Sequence, residues 1–330
     1  MTTGPLPSDA GQAAREDDPP ATDVATLVRS LHASLAAQQR DEICFDWDHV
    51  DGARGLLRSF VANHWQVTRP CVSSDFFTSE QRHLIQEVFK GLLDPGWLAR
   101  FLKMLRDDTK GHPWGTNQSI ALFEDAAGGR LQMVFCGRHL TLRANAHRDE
   151  GMAFGGPIFY AHAVRGFFER PRHPGNVFWC QAVEAGRLYD ALDAGQRETA
   201  EVDRLPQESA IGFRSERPGV AASTFNAAQR ESLSRLVGAL VEPFRAEDRA
   251  CVLACIEKQG GLSALHMMYS RDGRMSAPLW DNWRLEGPSL VWNFRGFPHV
   301  HVMVHVADHA DVVANAHQGT YIFPGHDPLR

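Results

Sequence analysis

Apolar residues return every three or four positions from Asp23 onward, as Val24, Leu27, Val28, Leu31 and Leu35. That spacing predicts an amphipathic helix. A second helical stretch is expected near Val50 to Val61. Thr78-Ser-Glu-Gln81 places a hydroxyl three residues before a glutamine, the capping-box pattern that opens a helix. Leu84, Ile85, Val88, Phe89 and Leu92 give that helix its apolar face. Asp94-Pro95-Gly96 ends it, and another helix runs through Leu105. The cap recurs at Asp193 with Gln196 and at Asn226 with Gln229, and Arg follows the glutamine each time.

Strand-like runs form two groups. Ser119 to Phe123 and Leu131 to Leu142 flank Ala126-Ala-Gly-Gly129, a hairpin turn. Phe154-Gly-Gly-Pro157 then precedes Ile158 to Val164. The second group is Leu262 to Tyr269, Trp283 to Leu285, Leu290 to Phe294 and Val300 to Val306, with an Arg271-Asp-Gly-Arg274 turn between its first two members. Helices and strands in blocks predict an α+β fold with largely antiparallel sheet. Phe77, Thr78, Gln81 and Arg82 reappear 148 residues later as Phe225, Asn226, Gln229 and Arg230. This suggests two degenerate repeats, about 65–165 and 215–307, around a central site.

Composition narrows the class. With 330 residues and 43% hydrophobic content, the chain can bury a core. Residues 1–22 read as a disordered acidic tail without the features of a secretory signal, and 23–330 as one compact domain. No apolar run approaches the roughly 18 residues of a membrane helix. A net charge of −6 argues against a nucleic-acid partner. The 6 cysteines form no CxxC pair, which fits a reduced, cytoplasmic chain. Neither GxGxxG nor a Walker A motif is present.

The candidate chemistry lies in the histidines, of which there are 16. In Pro298-His299-Val-His301-Val-Met-Val-His305-Val306, strand alternation puts His299, His301 and His305 on one face and the valines on the other. An HxH pair on a strand is within reach of one metal ion; lining a polar sheet face is the plainer alternative. A second group, His139, Thr141 and Arg143, is expected on one face of an earlier strand. His147, Asp149 and Glu150 follow it, and His162 closes the next strand. Arg284 and Glu286 can supply a buried ion pair or a clamp for a substrate carboxylate.

Several segments resemble the bacterial form of the family catalogued as domain of unknown function 3500. They are GRHLTLR at 137–143, AFGGPIFYAH at 153–162, HPGNVFWCQA at 173–182, LDAGQRETA at 192–200, WRLEGPSLVW at 283–292 and HVH at 299–301. PGV at 218–220 and the second AQR helix also fit. The family often has two adjacent histidines where this chain has Arg138-His139, and an Arg where it has His305. The resemblance adds weight to His139, His299 and His301 and names no reaction.

The expectation is a metal-dependent enzyme acting on a small molecule. His139, His299, His301 and His305 are the candidate ligands of a transition metal: copper, iron or zinc. His162, His147, Arg284 and Glu286 are the candidate catalytic residues. Oxidoreductase chemistry is favoured. The alternatives are a zinc hydrolase, a metal-free enzyme with His139 or His301 as general base oriented by Asp149 or Glu286, and a non-catalytic ligand or metal carrier.

Overall fold

The computed structural model describes residues 23–147, 151–164, 175–270 and 281–323. The tail, Asp149, Glu150 and the Arg271 to Arg274 turn lie outside them.

Helices α1 (Val24–Ser34), α2 (Ala37–Ile43), α3 (Ser79–Gly91) and α4 (Pro95–Asp108) precede strands β2 (Ser119–Glu124), β3 (Leu131–Gly137), β4 (Leu140–Asn145) and β5 (Ile158–His162), with β1 (Cys44–Asp46) between α2 and α3. The order then repeats in kind. Helices α5 (Trp179–Ala191) and α6 (Ala194–Ala200), strands β6 (Glu201–Val202) and β7 (Val220–Ala221), and helices α7 (Ala227–Val241) and α8 (Ala246–Lys258) precede β8 (His266–Ser270), β9 (Asn282–Gly287), β10 (Leu290–Arg295) and β11 (Val300–Val306). The fold is α+β.

These eleven strands form one mixed sheet, in the order β1-β2-β3-β4-β5-β11-β10-β9-β8-β6, with β7 also on β8. An antiparallel pair, β5 with β11, sits at its centre. Each arm runs outward through antiparallel neighbours to a parallel strand, β1 on β2 and β6 on β8. The predicted caps form: Thr78, Asp193 and Asn226 each accept the backbone N–H of a glutamine three residues on.

The helices cover one face of the sheet. Val300, Val302, Val304 and Val306 point into that layer, as strand alternation predicts. The other face is closed by short paired strands and irregular chain, with Phe60, Trp65, Val134 and Cys136 in one apolar cluster and Phe159, Ala161, Ile211 and Met303 in another.

Two expectations need correction. Residues 50–61 are not a helix but short strands and one 3-10 turn. The Asp51 carboxylate caps the N–H groups of Ala53 and Arg54, and Gly55 adopts φ +66°, so a hairpin replaces the helix. The run from Leu131 to Leu142 is not one strand. It reverses at Arg138-His139, between the paired residues Gly137 and Leu140.

Candidate metal centre

That reversal carries the first histidine. His139 lies in the turn, at φ +61°, rather than on a strand beside Thr141 and Arg143. The turn is held from three sides: His139 N–H donates to Asn63 O, His139 O accepts from Ala161 N–H, and Arg138 N–H donates to Asn117 Oδ1 at 2.6 Å. At Gly137 any β-carbon would sit 2.9 Å from Asn117 O, so the approach to the turn requires glycine. The other two histidines come from the start of β11, with His299 just before the strand and His301 on it.

Strand pairing brings them together. His301 stands opposite Ala161 on β5, whose N–H bonds His139 O. The Nε2 atoms of His301 and His299 are 2.8 Å apart, and those of His299 and His139 3.3 Å. All three side chains are buried and offer ligand atoms within 4.8 Å of one another.

Carboxylates stand behind two of the rings. Glu208 approaches His301 Nδ1 at 3.2 Å, and it also accepts from Asn63 Nδ2 at 2.9 Å and pairs with Arg295 at 3.4 Å. Asp108, at the end of α4, lies 3.0 Å from His139 Nδ1, though out of line for a full hydrogen bond. Asn63 Nδ2 also stands 3.1 Å from His301 Nδ1, and Asp108 makes no full hydrogen bond to His139, so the two carboxylates orient the rings without fixing their tautomers. The Nε2 atoms face one buried space, an arrangement that could hold a cation. Two metal–nitrogen bonds of about 2.1 Å at a tetrahedral angle place their nitrogens about 3.4 Å apart, close to the separations here.

Burial holds His139 and His301 well below the usual imidazole pKa, and Arg295 adds to this for both. The rings are neutral at pH 7, the state that ligates metals. Burial pushes Asp108 the other way, up to about 7.

The remaining candidates lie elsewhere. His305 is on the same face as His301 but four residues on, about 13 Å along the strand; its Nδ1 contacts Ile211 O at 3.1 Å and its ring stacks on Phe213. His162 points to the helix side, bonding Asp107 at 2.9 Å through Nε2 and accepting Val177 N–H at Nδ1. His147 lies at the far end of β4, edge-on to Trp47. Arg284 and Glu286 form a buried ion pair at 2.5 Å, and Arg214 forks onto the same carboxylate at 2.6 and 2.7 Å. None of these joins the triad.

Asp108, Glu208, Asn63 and Asn117 have no place in the expectation from sequence. Asp107-Asp108 carries one signal. Two acids in the last turn of a helix oppose its dipole and ask for another reason to be there. Glu208, in Leu205-Pro-Gln-Glu208, carries none.

The three histidines of this centre lie in segments that carry the family resemblance. The sequence profile of the family described as protein of unknown function (DUF3500) matches residues 17–317. The chain belongs to the DUF3500 family. No curated protein and no solved structure matches it. For this DUF3500 protein the site itself is therefore the basis for assigning a function. No helix among its described residues is long and apolar enough to cross a membrane.

Proposed function

We propose that this DUF3500 protein is a metal-dependent enzyme, an oxidoreductase whose transition metal is held by His139, His299 and His301. The supporting observation is the convergence of three buried imidazoles, two of them backed by carboxylates. A carboxylate behind a ligand ring orients it and raises its basicity. Three neutral nitrogen donors suit copper, iron or zinc and leave a coordination position open.

Oxidative chemistry is favoured over hydrolysis because of where the carboxylates point. Glu208 and Asp108 both face the outer, Nδ1 side of the ligand rings, opposite the Nε2 atoms that converge. A small-molecule substrate has a place to bind beside Glu208: a cavity of about 290 Å³ whose lining includes Arg204, Asn282, Asn293 and Arg295. Bound copper or iron would supply electron transfer there; the chain's own groups fix the ligands and bind the substrate.

An absorption spectrum of the metal-loaded protein, recorded before and after ascorbate and then dioxygen, tests the reaction class. Reversible bleaching and recovery is expected. A centre that binds only zinc and shows no response would favour the hydrolytic reading.

A further inference from the structure

Asn293 and Arg295 are two residues apart on β10, so their side chains share one face of the sheet, about 7 Å apart at the backbone. It is the face that carries His301, which stands opposite Arg295 on β11. Asn282 stands opposite Arg295 on the other side, on β9. These side chains and the segment from Arg204 to Glu208 line the cavity of about 290 Å³ beside Glu208. Asn293 is only 3% exposed, and its Oδ1 accepts from Arg284 Nη1 at 3.3 Å. A guanidinium only donates, so that bond fixes the amide and turns Nδ2 away from Arg284. Nδ2 has no acceptor among the described residues and is not sealed off, so it looks into the cavity.

Arg295 adds donors of its own. Its Nη1 reaches Glu208 only at 3.4 Å, and its Nη2 has no acceptor among the described residues. Glu208 is shared, since Asn63 and His301 also approach its carboxylate, at 2.9 and 3.2 Å. The charged groups of the lining are Arg204, Arg295 and Glu208, two cations to one anion. Leu205 and Pro206 give the wall an apolar stretch. Open donors beside a positive charge call for an occupant that presents anionic oxygen. Water meets the need for oxygen but neither the charge nor the apolar stretch.

We propose that the substrate is a small carboxylic acid, its carboxylate oxygens on Arg295 and Asn293 Nδ2 and its hydrocarbon against Leu205 and Pro206. The planar guanidinium fork matches a planar carboxylate. The proposal rests on the reading of this cavity as the substrate's, while acid binding itself needs no metal.

Phenylacetate and propionate are suitable probes, with phenylacetamide as the neutral isostere. Calorimetric titration of the full chain, before and after metal removal by a chelator, is expected to show acid binding at one site in both states. Phenylacetamide should bind roughly tenfold more weakly than phenylacetate, or worse. Asn293→Asp keeps the oxygen that Arg284 needs and replaces the open donor with a negative oxygen; it should abolish binding. Arg295→Gln removes the cation and should weaken binding roughly tenfold or more. Thermal unfolding checks that both variants fold. Absence of binding of both acids to the wild type overturns the proposal. So does phenylacetamide binding as tightly as phenylacetate, inorganic phosphate binding more tightly than either acid, or unchanged affinity in folded Asn293→Asp. Metal content of the same samples reads the metal centre separately: acid binding to a protein that takes up no metal contradicts the metal-enzyme reading alone.

Discussion

His139 occupies a left-handed backbone conformation that a β-carbon disfavours by roughly 1–2 kcal/mol. The turn keeps it there through backbone bonds to Asn63 and Ala161. His139→Gly and His139→Ala should both lose the metal, yet the glycine variant should be more stable by about 1 kcal/mol in urea unfolding. Equal stabilities would mean that the turn relaxes without its side chain. Behind the ligands, Glu208→Gln keeps the shape but weakens the acceptor facing His301. Metal affinity should fall about 10- to 100-fold in a competition titration, with the fold retained. His305 reports on pH instead. Burial depresses its pKa from 6.5 to about 4, so the unfolded chain takes up a proton first as pH falls. Its contribution is present above pH 6.5 and is lost between there and about 4, to a limit of about 3 kcal/mol. His305→Gln should flatten the stability profile in that window; an unchanged slope would show that the ring is already protonated or exposed.

At the scale of elements, the caps do more than start helices. Gln81 Nε2 donates to Ser34 O and Gln39, while Gln229 Nε2 donates to Ala191 O and Gln196. Each buried glutamine thus ties its helix to the preceding helix pair. Gln81→Ala and Gln229→Ala should each cost about 1–3 kcal/mol, measured by chemical denaturation. A cost in one and not the other would argue that the networks are unlike. We propose, from these matched networks and the two arms of the sheet, that the halves share an ancestor. Such elements are legible in sequence because capping and strand alternation are local rules. Thr78-Ser-Glu-Gln81 and the valines of β11 each carry their own signal. The misread segment, 50–61, fails because Asp51 and Gly55 form a turn that outweighs an intermittent apolar spacing.

Over the whole molecule, legibility falls with sequence separation. His299 and His301 are visible as a pair because two residues of strand put them on one face. His139 is found for a partly mistaken reason, since a turn and not a strand delivers it. Asp108 and Glu208 reach the site only through the packing of α4 and of an irregular segment, which no local pattern encodes. The continuous sheet across β5 and β11 also bears on domain structure. Limited proteolysis should leave one large core and no pair of stable halves; two separable halves would contradict a single domain. The central claim is the metal, and elemental analysis of the chain purified without a histidine tag tests it most directly. About one copper, iron or zinc ion per chain is expected, lost in His301→Ala and kept in His147→Ala. A folded protein that neither contains nor takes up these metals, or a His301→Ala variant that retains the ion, would contradict it.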